Sequence, residues 1–241
     1  MRHARFTDPA GTVRRGEWCD GTVRAAGRTY DRETVDVLPP TEPSKVLGVG
    51  RNYREVYDDE ASFPDRPRIW WKGEHDVLAG HGDTVALPAD EEVVYEAELG
   101  VVVGTECRNV DPAAVSDVVA GYTCVNDLSN MDHADDAGFL RVKSFDNAAP
   151  MGPVLADPEH VPEQPRVRLW LDGDLQQDSA GDEFVFSVPE MIAEFSQYVT
   201  LRPGDVVITG TPADFGPVGS GEHVAIEIEG VGRLEHDIER V

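Results

Sequence analysis

Three carboxylates carry the strongest chemical signal in this chain. Glu96 and Glu98 stand in "VVYEAELGVVVG", residues 93–104, a run that is otherwise mostly apolar and rich in valine. Side chains alternate faces along a strand, so positions i and i+2 share one face, roughly 6–7 Å apart. Two carboxylates side by side on a partly buried face repel each other and lose hydration, so something positive should answer them. A solvated edge strand, or a pair of ion pairs to Arg, would do so without any chemistry. Asp127 offers another answer. It ends a second apolar run in "GYTCVNDLSNMD". Two Glu at i and i+2 plus an Asp from a neighbouring strand make an all-oxygen set on one side of a site. Such a set suits Mg²⁺, Mn²⁺ or Ca²⁺, with water or substrate completing the shell. It does not suit zinc, because it contains neither His nor Cys.

Composition sets the background against which that signal is read. The 241 residues include 46 acidic and 21 basic side chains, a formal charge of −25. Only Lys45, Lys72 and Lys143 among the basic residues are lysines. Acidic residues run through the whole chain, so the charge belongs to the surface and not to a tail. A field of this sign disfavours nucleic acid and anionic membranes as partners. Together with the scarcity of Lys it points to a salt-rich, halophilic cytoplasm, where ions screen the self-repulsion. An acidic cluster is correspondingly a weaker sign of metal here. Cys19, Cys107 and Cys124 form no CxxC pair and no even framework, as expected of reduced intracellular thiols. "MRHARFTDPAG" has no apolar signal core, and no apolar run is long enough to span a bilayer. A soluble, cytoplasmic protein is expected.

The elements that must position the carboxylates are mostly strands. Residues 1–42 read as a small β appendage with a hairpin turn at Asp20-Gly21, closed by the proline-rich "VLPPTEPSK". Residues 43–241 read as one larger domain. Strands are expected at "KVLGVG", at "RIWWK", continuously over 93–103, and at "AGYTCVND". "RVRLWLDGDLQQ" reads as two strands around Asp172-Gly173. "RNYREVYDDEASFPD" reads as a short helix or mobile loop. "DPAAVSDVV" reads as a helix with Asp111 as N-cap and Pro112 at its first position. "SVPEMIAEFSQYVTL" has apolar residues at helical spacing and opens at Ser187 or Pro189. The balance is a mixed, β-rich α+β class. No internal repeat, GxGxxG or P-loop occurs.

In chain order, "GVGRNYREVYDDE", "WWKGEHDVLAGHGDTVALP", "YEAELGVVVG", "GYTCVNDLS", "RVKSFDNAAPMGP", "DGDLQQ", "LRPGDVVITGTPADFGPVG" and "EIEGVGRLEHDI" resemble the fumarylacetoacetate hydrolase family over roughly residues 45–241. The resemblance implies a β-sandwich roll with short helices and a small N-terminal β appendage, a homodimer, and a bound Mg²⁺, Mn²⁺ or Ca²⁺. It implies that Glu96, Glu98 and Asp127 are the metal ligands and that Lys143 is the active-site lysine. Gln177 and Thr211 match substrate-binding positions. Arg51, Asn52 and Tyr53 match the stretch that leads into the lid and are expected to face the substrate. Lys72 matches a family lysine for which packing of the stem is an equal reading, and His81 reads as a turn residue. The implied substrate is a small 2-oxo acid or its enol, cleaved at a C–C bond, isomerised or decarboxylated.

The chain departs from that family in the lid. Where the pattern Asn-Tyr-x-x-His-x-x-Glu supplies a water-activating pair, this sequence has Val56 and Asp59. Where "NDxSARD" supplies an Arg, it has Met131. Asp58, Asp59, Glu60 or His133 are the possible substitutes, with His75 as a further one if the lid register shifts. The losses leave the metal ligands untouched and bear most on hydrolysis. A metal-retaining protein without turnover is the reading from a different class.

Overall fold

A computed structural model gives the structure of the protein and describes residues 1–136, 138–179 and 183–241. Glu96 marks the point that organises the site. The run expected as one strand is two: Val93–Tyr95 and Ala97–Val103, interrupted at Glu96. Val93–Tyr95 pairs with Ser129–Asn130 and with Gly216–Pro217 in a small sheet. Ala97–Val103 pairs with Val119–Asn126 and Val206–Ile208 in the large one. The cause is local. The Glu96 N–H donates to the side-chain Oδ1 of Asn126 at 3.0 Å, and its carbonyl accepts from Asp127 N at 2.8 Å. A side chain takes the place of a ladder partner there, and the chain changes sheet.

Among the described residues the large sheet has twelve strands. Its main path runs Arg28–Asp31, Thr22–Ala25, Val13–Cys19, Arg2–Thr7, Ala149–Ala156, Val119–Asn126, Ala97–Val103, Val206–Ile208, Val46–Gly50, Arg68–Gly73. A five-stranded sheet holds Asp174–Ser179, Val167–Leu171, His223–Ile228, Gly232–Arg240 and Thr84–Leu87. The two layers share one apolar core. Leu99 and Val101 of the large sheet meet Leu169, Ile226 and Leu234 of the smaller one in it. The opposite face of Ala97–Val103 sends Val102 into a second cluster with Val125 and Met151. A strand buried on both faces reads as a continuous apolar run, and this is why "LGVVV" lacks polar alternation. The fold is the mixed, β-rich sandwich roll expected.

Residues 1–42 form antiparallel hairpins, one turning at Asp20-Gly21, and Arg2–Thr7 pairs with Ala149–Ala156 at Arg2↔Ala156 and His3↔Leu155. The N-terminal strands thus extend the large sheet. The segment after Tyr53 holds two short 3₁₀ turns, Arg54–Val56 and Glu60–Ser62. Pro112–Asp117 is also 3₁₀, capped by Asp111, which accepts from Ala113 N at 2.9 Å. Val188–Tyr198 is an α-helix with Ser187 and Glu190 forming a capping box. Among the described residues no helix is long and apolar enough to cross a membrane.

Candidate metal centre and active site

Strand pairing brings the three carboxylates together. Ala97 lies opposite Asn126 and Glu98 opposite Val125, so Asp127 falls beside Glu96 at the end of the ladder. One oxygen from each of Glu96, Glu98 and Asp127 lies within 4.8 Å of the other two. Glu98 and Asp127 are fully buried.

Two buried lysines answer the three negative charges. Lys143 Nζ donates to Glu96 Oε2 at 2.8 Å and to Asp127 Oδ2 at 2.7 Å. Lys72 Nζ stands 2.6 Å from Asp127 Oδ1 and donates to the Leu128 carbonyl at 2.8 Å. Burial alone would raise Asp127, but Lys143 and Lys72 outweigh it and hold its carboxyl below the usual range. Burial alone would lower the Lys143 ammonium, but Asp127, Glu96 and Glu98 outweigh it and hold it raised. Lys72 is lowered, because its burial outweighs the pull of Asp127. Glu98 has no lysine of its own. Burial, with Asp127 and Glu96 adding to it, pushes its carboxyl well above the ordinary value.

The donor chemistry fits a hard divalent cation. Glu98 Oε1 is buried without a hydrogen-bond partner, a costly arrangement that a bound cation removes. The set is entirely oxygen and partly charge-balanced by fixed lysines, and no His or Cys joins it.

Each element aims its residue for an identifiable reason. Lys143 ends the single helical turn Leu140–Lys143, which Phe139 opens at φ +54°. The Phe139 ring stacks on Trp70 at 6.2 Å, and Lys143 Nζ lies 5.0 Å from the centre of the Trp70 ring. Glu98 Oε2 accepts from Gly210 N at 2.7 Å. Gly210 has φ +92°, and a Cβ there would come within 3.0 Å of Asn52 Cβ and Val49 O, so only glycine can present that N–H. Gln177 is a bracket. Its Oε1 accepts from Ala97 N at 3.1 Å, between the two glutamates. Its Nε2 donates to Thr211 Oγ1 at 3.0 Å and to the carbonyls of Pro212 and Ala213 at 3.1 and 3.2 Å.

Glu96, Glu98, Asp127 and Lys143 thus converge, with Gln177 and Thr211 tied to the same strand. The lid-side residues are occupied differently. Asn52 spends its amide on backbone: Nδ2 donates to Phe186 O and Thr209 O, and Oδ1 accepts from Phe186 N. Tyr53 is buried edge-on against Phe184, with its ring centre 5.1 Å away. Burial, with Glu98 adding to it, raises its phenol well above the ordinary value. Arg51 is exposed and donates to Val56 O at 3.0 Å. Val56 is half-buried against the main core. Asp59 is exposed and caps the turn Glu60–Ser62, where its Oδ1 accepts from Ser62 N and Oγ.

Of the remaining candidates for a lid base, Asp58 is exposed, and Glu60, His133 and His75 each have a charged neighbour. Glu60 pairs with Arg54 at 3.1 Å and His133 stands 3.4 Å from Glu91. His75 is exposed and lies 3.8 Å from Asp76. His81 is partly buried and accepts from Glu235 N at its Nδ1, consistent with a turn role.

Several residues of the site were undecided or missed from sequence. Lys72 is one, and the scarcity of Lys was its available signal. Ser129, whose Oγ donates to Glu96 Oε1 at 2.7 Å, is another. His236 is a third: it is buried, and its Nε2 lies 3.0 Å from Asn126 Nδ2. Asn126 Oδ1 is already taken by the Glu96 N–H, so Asn126 must donate to His236. The imidazole is therefore neutral, and burial lowers its pKa to about 4.

The family model described as fumarylacetoacetate (FAA) hydrolase C-terminal matches residues 45–239. The 4-hydroxyphenylacetate degradation bifunctional isomerase/decarboxylase of Escherichia coli is 37% identical over 214 residues, 86% of this chain and 49% of that protein. The chain thus spans about half the length of that relative. The crystal structure of a 5-carboxymethyl-2-hydroxymuconate delta-isomerase from Mycobacterium smegmatis superposes with a TM-score of 0.92 at 31% identity, covering 100% of this chain and 99% of that one. A maleylpyruvate hydrolase from Sphingobium sp. SYK-6, solved with manganese(II) and pyruvate, gives a TM-score of 0.86 at 26% identity, with 100% and 99% covered. On the family match and these relatives, the chain belongs to the fumarylacetoacetate hydrolase family.

Proposed function

We propose that this protein is a divalent-cation-dependent enzyme that isomerises or tautomerises a small 2-oxo acid or its enol. In this reading Glu96, Glu98 and Asp127 hold Mg²⁺, with Mn²⁺ able to take its place. The bound cation supplies Lewis acidity toward the carboxylate and 2-oxygen of the substrate. Lys143 stays an ammonium and sets its positive charge beside the developing enolate. Thr211, braced by Gln177, receives a substrate carboxylate. Asp59 is the proton carrier. Its two cap bonds use Oδ1 and leave Oδ2 to take a proton from one carbon and deliver it to another in isomerisation, or to exchange it between carbon and the 2-oxygen in tautomerisation.

The observation that carries the choice of reaction is the lid. On the family pattern Val56 takes the position of a water-activating His, and it is half-buried against the core. C–C hydrolysis needs a base for water, whereas isomerisation, tautomerisation and loss of CO₂ from a β-carboxylate do not. The isomerase and isomerase/decarboxylase relatives support the first reading. Hydrolysis is kept as the second reading because the maleylpyruvate hydrolase shares the fold over the whole chain. A homodimer and a cytoplasmic location complete the reading; three free thiols support the latter.

The test is a panel at high salt with Mg²⁺ or Mn²⁺: acetylpyruvate, fumarylpyruvate, oxaloacetate and a hydroxymuconate-type dienol, followed by enol absorbance and CO₂ release. Turnover of the dienol or of the oxaloacetate enol without C–C cleavage is expected. Rapid cleavage of the acylpyruvates would overturn the choice of reaction. Metal binding with no turnover of any member would favour the non-catalytic reading.

A further inference from the structure

The three carboxylates are not free to choose how they bind a cation, because the protein holds one oxygen of each. Glu96 Oε1 accepts from Ser129 Oγ at 2.7 Å. Glu98 Oε2 accepts from Gly210 N at 2.7 Å. Asp127 Oδ1 is ion-paired to Lys72 at 2.6 Å. Asp127 Oδ1 has that ion pair and no hydrogen bond; of the other oxygens, Glu98 Oε1 has no hydrogen-bond partner, and Glu96 Oε2 and Asp127 Oδ2 converge on Lys143. A carboxylate oxygen has two lone pairs, so Lys143 and a cation can share the last two.

We infer that Ser129, Gly210 and Lys72 restrict Glu96, Glu98 and Asp127 to one donor oxygen each, and so select a small octahedral cation over Ca²⁺. The reasoning is one of coordination number. Ca²⁺ takes six to eight oxygens and gains from bidentate carboxylates, whereas Mg²⁺ demands near-ideal octahedral geometry and keeps several waters. Three single oxygens on one side leave three positions for water or a chelating substrate, which suits the smaller ion. Rigidity adds to the effect. Lys72 and Asp127 are fully buried, Ser129 nearly so, and the Gly210 N–H is fixed by a positive-φ backbone at which a side chain would be strained. Lys72 is then a positioning residue, distinct from Lys143, which the proposed function sets beside the substrate.

The inference rests on the metal site proposed above, and the experiment separates the two. Mn²⁺ is titrated into the metal-free protein, with the free-ion electron paramagnetic resonance signal as readout, and is then displaced with Mg²⁺ or Ca²⁺. No turnover is needed. Wild-type protein should release Mn²⁺ to Mg²⁺ at lower concentration than to Ca²⁺. Ser129→Ala frees Glu96 Oε1, and Lys72→Met frees Asp127 Oδ1. Each should shift the Mg²⁺/Ca²⁺ ratio toward Ca²⁺ by roughly three- to tenfold, at or below the usual size of outer-sphere effects on metal affinity. Ser129→Ala removes one hydroxyl and carries the test alone if Lys72→Met does not fold. An unchanged ratio in the variants, or a wild type that prefers Ca²⁺, overturns the inference and leaves the site standing. A wild type that binds no Mn²⁺, or a Glu98→Gln variant that binds it as before, overturns the site and the inference with it.

Discussion

Gln177 ties the strand Ala97–Val103 to the loop over residues 211–213, and its removal has a calculable cost. Gln177→Ala deletes the acceptor for Ala97 N and the donor to Thr211 Oγ1, Pro212 O and Ala213 O. Ala97 is fully buried, so its N–H has no route to water. That one orphaned group costs about 1–3 kcal/mol. Thr211 and Ala213 are only half-buried and recover part of their hydration, while Pro212 is buried. The sum is a loss of about 3 kcal/mol of unfolding free energy, measured by urea denaturation of the metal-free protein with the m-value unchanged. Gln177→Glu is the informative control. It keeps an acceptor for Ala97 N and loses the donors, so it should disturb the Thr211 loop more than the strand. In turnover of whichever 2-oxo acid the proposed activity converts, both variants should raise KM more than they lower kcat, because the proposed role of the loop is binding. A stability loss below about 1 kcal/mol in Gln177→Ala would refute the reasoning, since a bracket of four bonds, two of them buried, cannot be removed that cheaply.

Four further outcomes follow from the same structure. His236 has a folded pKa of about 4 against an ordinary 6.5, so the unfolded chain binds its proton first. Stability should be complete above pH 6.5 and fall as pH drops toward 4, by at most roughly 3 kcal/mol, and His236→Gln should flatten that limb in pH-dependent urea melts. Asp205 is buried, pairs with Lys45 and accepts from the N–H groups of Ser44, Lys45 and Arg202. Asp205→Ala should cost about 3–5 kcal/mol by denaturation, because it strands a buried ammonium and several donors. The charge of −25 predicts that melting temperature rises as KCl is raised from 0.1 M toward 2 M, checked by calorimetry; a fall would contradict the screening argument. Val56→His should introduce measurable acylpyruvate cleavage while leaving Mn²⁺ affinity within twofold, read by product assay and metal titration.

The sequence carried the grouping of the three carboxylates and the strands that hold them, because those depend on short-range alternation and apolar runs. The sheet change at Glu96 was not legible: it depends on the Asn126 side chain replacing a ladder partner thirty residues away in sequence. The roles of Asn52 and Tyr53 were equally hidden. "GRNY" reads as substrate-facing by resemblance, yet Asn52 bonds to Phe186 and Thr209, more than 130 residues distant, and so fixes the floor on which Gly210 stands. Asp59, proposed as proton carrier, is seen capping its own turn, a local bond that its spacing to Ser62 already permitted.

Lysine was the most informative residue type, and the composition said more about it than its motif did. A chain that builds its exposed cations from Arg has no surface use for Lys, so each of its three lysines needs an interior explanation. All three have one. Lys45 pairs with Asp205, Lys72 with Asp127, and Lys143 with Glu96 and Asp127, and none is exposed by more than 6%. Arg does not fit these places, because its larger planar fork needs room and in-plane acceptors that a pocket closed around one compact ammonium does not give. Lys→Arg at position 72 or 143 should therefore damage the site nearly as much as Lys→Met, whereas Arg→Lys on the exposed faces should pass unnoticed in both stability and metal affinity.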